Sequence, residues 1–235
     1  MKKVLIIQND PPETLGLYEK YLNENTDLTL IHAYNMKKKD SFPSIENFTH
    51  FIIGPTPISA NEALNHSFLR KEWTYLEKII ASGKPCLGIC CGGQILAKLL
   101  GGKVKKSPRK EVGGYTIRLT DDGLNDPLFY DFPREIPVFH WHSEMFNIPP
   151  DGKLLAIGDP CPIQAFAKSN IRGVIFHLEI TVKDAKRWIK AYPSELVAIG
   201  KTGQQVLEEC QQIEQQMKPL SYKFMNNFLQ MRARF

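Results

Sequence analysis

No stretch of this 235-residue chain approaches the roughly 20 consecutive apolar residues that a membrane helix needs, so no membrane partner is expected. The apolar run at 4–7 is too short for a signal-peptide core and is followed at once by polar residues. Cysteine is scarce: five residues, at 86, 90, 91, 161 and 210, form an odd set without framework spacing. That suits a reducing, cytoplasmic setting better than a disulfide scaffold. Charge of one sign is not in large excess. Thirty Lys and Arg stand against 25 Asp and Glu, a net +5 that compels no nucleic-acid partner, and none is expected. The densest basic run, "KVKKSPRK" at 103–110, is expected to be a solvated loop. There is no internal repeat, low-complexity segment or linker, so a single domain over 1–235 is expected.

What is present is an ordinary globular composition, 43% hydrophobic and 23% charged. Apolar strand-like runs alternate with amphipathic ones. "KVLIIQN", "LTLIHAY", "THFIIGP" and "PCLGIC" read as strands. "PPETLGLYEKYLNEN", "SFLRKEWTYLEKIIAS" and "GGQILAKLL" read as helices, the first starting at its prolines. This order predicts an α/β fold with a mostly parallel sheet flanked by helices. The second half is richer in strands: "YTIRLT", "PVFHWH", "LLAI", "IQAFA" and "GVIFH". A helix follows at "VKDAKRWIKAY", and the tail carries two further helical patterns, "GQQVLEECQQIEQQM" and "YKFMNNFLQMRARF".

The junction "GKPCLGICCGGQILAKLLGG" at 83–102 sets two adjacent cysteines among glycines, between a strand and a helix. Two ordinary buried cysteines at a tight turn would satisfy the pattern. So would a nucleophile elbow, in which glycines two before and two after the nucleophile relieve a crowded, strained turn. On that spacing Cys90, midway between Gly88 and Gly92, is the nucleophile. The helix N-terminus beyond it is expected to favour thiolate, and the Cys91 N–H to face a developing oxyanion. The base candidate is His177, at the end of an apolar strand in "GVIFHLE". Glu179 lies two residues on, on the same side of an extended segment, where a carboxylate fixes the imidazole tautomer. His140 and His142 in "HWHSE" share same-face strand spacing that suits a metal, but no third ligand cluster is evident. No metal and no cofactor are therefore expected.

With these residues the chain resembles the class I, triad-type glutamine amidotransferase family, and in particular stand-alone members similar to the amidotransferase part of GMP synthase. The family's elbow, G-x-C-x-G-x-Q, is matched by Gly88, Cys90, Gly92 and Gln94. Its base motif, G-x-Q-F-H-P-E, is met by Gly173, Phe176, His177 and Glu179, with Ile175 and Leu178 at the remaining positions. The likeness extends to "DPLF", "VFHWHSEMFNIPP" and "CPIQAFA". It implies a flavodoxin-like sheet and a triad of Cys90, His177 and Glu179. It also implies a glutamine pocket lined by Gln94, in which Glu144 meets the substrate ammonium and Ser143 positions the ligand.

The chain departs from the family at the oxyanion loop. Where the family shows Gly-Gly-Pro, this sequence has "IIGPTPIS", with Pro55 and Thr56 at the glycine positions. Pro55 has no N–H to give, but Thr56 does, and the resemblance implies that the second oxyanion donor stands at that position. The resemblance implies hydrolysis of glutamine through a γ-glutamyl thioester, releasing glutamate and ammonia. The alternatives are a γ-glutamyl peptidase using the same triad and a weakened binding or regulatory subunit. No synthetase segment follows Phe235, so the ammonia acceptor is expected to be a separate protein or a small molecule.

Overall fold

The structure is a computed structural model and describes residues 1–233. Its centre is one nine-stranded mixed sheet. The first five strands in spatial order are parallel: β2 (Asp27–His32), β1 (Lys3–Gln8), β3 (His50–Ile53), β4 (Cys86–Ile89) and β9 (Ile171–Val174). From β9 the sheet continues antiparallel through β8 (Ala165–Lys168), β7 (Lys153–Ile157), β5 (Val104–Leu119) and β6 (Glu135–Phe146). The helices are α1 (Gly16–Asn25), α2 (Ser67–Ala81), α3 (Cys91–Leu99), the short α4 (Asp121–Leu124), α5 (Val182–Ala191), α6 (Pro193–Val197) and the long α7 (Gly203–Gln230).

The continuous apolar run of β1 has a simple cause: both faces of the strand are covered. Val4 and Ile6 join a core with Tyr18 of α1, Trp188 of α5 and Phe224 of α7. Leu5 and Ile7 point the other way, into a core with Leu76 of α2 and Leu96 of α3.

Five elements differ from the sequence expectation, one of them β9, which ends at Val174 and does not run on to His177. The first helix begins at Gly16, not at the prolines. Gly16 has φ +39°, and a Cβ there would lie 2.4 Å from the Glu179 carbonyl oxygen. The Leu17 N–H donates to that oxygen at 2.9 Å, so helix α1 starts against the segment after β9 and residues 11–15 are left as a loop. The basic run at 103–110 enters β5 and is not a free loop. Its ladder to β6 lapses between Lys106 and Glu111 and resumes with Glu111 opposite His142. The two helical patterns of the tail are one helix of 28 residues with Pro219 inside it. Thr202 and Gln205 form a capping box at its start, and Met217, Phe224 and Phe228 anchor it in the core. Strand β6 extends beyond the expected segment at 137–142 in both directions, because β5 is long enough to pair with it from Glu135 to Phe146.

Candidate active site

Strand β4 delivers Cys90 to the start of α3 in a strained conformation, φ +49° and ψ −112°. For a residue with a Cβ this costs on the order of 1–3 kcal/mol, which the surroundings must hold in place. They do so through the backbone. The Cys90 N–H donates to the Val174 carbonyl at 2.8 Å, and its own carbonyl accepts the Gln94 N–H at 3.0 Å. The flanking glycines are steric requirements. A Cβ on Gly88 would sit 2.5 Å from the Gly92 carbonyl carbon, and one on Gly92 would sit 2.3 Å from the Ile53 carbonyl oxygen.

His177 follows β9, and its ring is held from two sides. Its imidazole Nδ1 lies 2.5 Å from Glu179 Oε1. A carboxylate only accepts, so Nδ1 carries the proton and Nε2 is left with a free lone pair. Nε2 has no protein partner among the described residues. The ring edge packs on Trp188 of α5, with centroids 4.9 Å apart and planes at 83°. His177 and Glu179 are both buried.

Cys90, Cys91, His177, Thr56, Gln94, Ser143 and Glu144 all border one cavity of about 190 Å³. Of the residues expected to carry or position the chemistry, only Glu179 is not on this wall; it stands behind His177. Glu144 is fixed from two directions: its Oε2 accepts from Ser59 Oγ at 2.8 Å, and its carbonyl accepts from Gln94 Nε2 at 3.1 Å. Thr56 is buried, and its hydroxyl accepts the Ile58 N–H at 3.4 Å. The Cys91 thiol donates to the Ile58 carbonyl at 3.2 Å. A larger cavity of about 770 Å³ between residues 36–42 and α2 holds no thiol or histidine.

The electrostatics depart from the expectation of a favoured thiolate. Burial, then the Glu13 carboxyl, pushes the Cys90 thiol well above its ordinary value, and a hydrogen bond from the Cys91 N–H only partly opposes them. A helix end is a weak force against desolvation in a site this enclosed. Glu13 itself is raised to about 8, first by burial and then by Asp10, with Tyr192 acting in the opposite direction. The Tyr192 hydroxyl donates to Asp10 Oδ2 at 2.6 Å.

Glu13, Trp188 and Glu195 also line the cavity, and no sequence pattern pointed to them. Glu195 of α6 accepts from Trp141 Nε1 at 3.0 Å and pairs with Lys110 Nζ. The expectation that His140 and His142 lack a third ligand also fails: Glu111 of β5 lies beside them, all three buried.

Comparison with known proteins places the chain in a family. Residues 17–191 match the family model described as glutamine amidotransferase class-I, and the chain belongs to that family. It is 28% identical over 198 residues to the glutamine amidotransferase-like protein YfeJ of Salmonella typhimurium, covering 83% of this chain and 82% of that one. It is 39% identical over 99 residues to one of the subunits of the glutamine-hydrolyzing GMP synthase of Pyrococcus furiosus, covering 41% of this chain and 51% of that relative. Among solved structures, a glutamine amidotransferase of Thermotoga maritima superposes with a TM-score of 0.87 at 27% identity, covering 98% of this chain and 99% of that one.

Proposed function

We propose that this chain hydrolyses the side-chain amide of glutamine, or of a γ-glutamyl compound, through a thioester on Cys90. One observation carries the reading: the strained Cys90 borders the same small cavity as His177, whose Nε2 has no protein partner among the described residues. A resting thiol raised by burial requires a base at the moment of attack. The Cys90 proton passes to His177 Nε2 as Sγ bonds to the amide carbon. The oxyanion is met by the N–H groups of Cys91 and Thr56. His177 then returns the proton to the departing nitrogen, the C–N bond breaks, and ammonia or an amine leaves. Water attacks the thioester, giving its proton to His177, and glutamate departs as Cys90 recovers its thiol. Glu179 holds the imidazole in the tautomer this sequence of steps needs. Gln94, Ser143 and Glu144 hold the amino acid end of the substrate. The ammonia acceptor is a separate synthetase or a small molecule, as the likeness to part of GMP synthase suggests.

A second reading, a binding or regulatory protein with little turnover, draws on the carboxyl of Glu13 beside the thiol. A glutamine-like chloroketone separates the two. Intact mass and peptide mapping are expected to find one adduct, on Cys90, with Cys86, Cys91, Cys161 and Cys210 untouched. An adduct on Cys91, or none at all, overturns the enzymatic reading.

A further inference from the structure

Strand β6 carries His140 and His142 on one face, and the register of the β5 ladder places Glu111 directly opposite His142. One ligand atom from each residue lies within 4.8 Å of the other two, and all three side chains are buried. Their hydrogen bonding does not close. His142 Nδ1 lies 3.2 Å from the Glu144 carbonyl, which only accepts, so Nδ1 carries the proton and Nε2 presents a lone pair. That lone pair faces Glu111 Oε2 at 3.0 Å, off the alignment of a hydrogen bond. Both carboxylate oxygens of Glu111 and both ring nitrogens of His140 lack a protein hydrogen-bond partner among the described residues. A buried polar group left in this state costs about 1–3 kcal/mol, so several such atoms gathered at one point require a cause.

An ion pair between Glu111 and a protonated His142 answers only half of this, because it leaves His140 stranded. An imidazole buried with neither ring nitrogen partnered among the described residues is a donor open to a Lewis acid.

We infer that Glu111, His140 and His142 form a binding site for one divalent transition-metal ion of the zinc type. Two imidazoles and a carboxylate are a common zinc set, and nitrogen ligands select against magnesium and calcium. A tetrahedral zinc with bonds of about 2.1 Å holds its ligand atoms about 3.4 Å apart, so the 3.0 Å pair opens only slightly on binding. Water fills the fourth position. The Glu144 carbonyl on His142 Nδ1 is the outer partner that such a histidine uses to fix its ring. The ion ties β5 to β6 where their ladder resumes after its lapse, just behind the cavity wall formed by residues 141–144. Its role is structural, and it does not depend on the hydrolytic reading of Cys90.

The test uses the full chain carrying Cys90→Ser, which removes the most accessible competing thiol. Chelator-stripped protein dialysed against zinc is expected to retain about one equivalent and to melt at a higher temperature. Glu111→Gln and His140→Gln should each weaken zinc retention by about 10-fold or more. A parent that retains no zinc, or variants that retain it unchanged, would overturn the site. Should the variants not fold by circular dichroism, cobalt in the parent decides. Visible d–d bands without a thiolate charge-transfer band support the site. No bands, or a thiolate band, reject it.

Discussion

The backbones of Phe139 and His177 bond to each other in both directions, N–H to carbonyl, at 2.9 Å each way. This isolated bridge fixes the main chain of His177 to β6, independent of anything its side chain does. The imidazole can therefore be changed while the backbone stays in place. His177→Asn is expected to abolish glutamine hydrolysis with an unchanged circular dichroism spectrum. Glu179→Gln should cost less, up to about 10⁴-fold in turnover, the penalty of a wrong tautomer in triad enzymes. Retention of most activity by His177→Asn would end the triad reading.

The loop at 54–57 is anchored at its entry. The Gly54 N–H donates to the Ile7 carbonyl at 2.8 Å, and the Gly54 carbonyl accepts from Asn9 Nδ2 at 3.3 Å. Pro55 then fixes its own φ and offers no donor. Replacing Pro55 and Thr56 together by glycine adds an N–H and frees the next peptide to turn toward the oxyanion. Turnover should rise, by up to about 100-fold if a donor is missing in the parent. Steady-state glutamate release measures it, and an unchanged rate shows that the native loop already suffices.

Gly92 and Gly200 make a matched pair. A Cβ on Gly92 would meet the Ile53 carbonyl oxygen at 2.3 Å, backbone against backbone, whereas Gly200 has φ +68° and nothing within 4 Å. Gly200→Ala should cost about 1 kcal/mol, the penalty of the left-handed region alone. Gly92→Ala should cost about 3 kcal/mol or more, because α3 must shift away from β3. Denaturant midpoints test the ranking, and equal losses would refute the steric account.

Stability should also fall with rising pH through Glu72. This side chain of α2 is fully buried, and burial raises its carboxyl from 4.5 to about 8, against a hydrogen bond from Asn9. The folded state holds the proton more tightly than the unfolded one. The stabilisation is thus complete below about pH 4.5 and is lost as pH climbs to about 8, on the order of 1.4 kcal/mol per pH unit. Glu72→Gln keeps an acceptor for Asn9 Nδ2, now 3.1 Å away, and removes the titration. Its melting temperature should exceed the parent's near pH 8 and converge on it near pH 5. Parallel curves would show that Glu72 does not titrate in this window.

The parts of the site legible in the sequence are those whose constraint is local. Gly88 and Gly92 write the sterics of a five-residue turn into the chain, and Glu179 meets His177 from two residues on, as expected, although β9 ends at Val174 and bends flank His177. Glu13 carried no such sign. It reaches the cavity because α1 starts late, and that start is set by Gly16 lying against the Glu179 backbone, far along the chain. Glu111 sits at the end of a basic run, and only the resumed register of β5 on β6 brings it to His142. The strand order across β9 was hidden for the same reason: runs such as "IQAFA" mark a strand, not the direction of its neighbour.

Strand β9 is the seam of the sheet, paired in parallel with β4 on one side and antiparallel with β8 on the other. The expected nucleophile comes from the parallel half, while residues 141–144 of the cavity wall come from the antiparallel half. On the proposed function, Cys90 and Gln94 come from one stretch of chain, and Ser143 and Glu144 come from another. Grafting the segment that spans β5 to β8 from one relative onto another would then exchange the Ser143 and Glu144 side of the cavity and leave the elbow as it was.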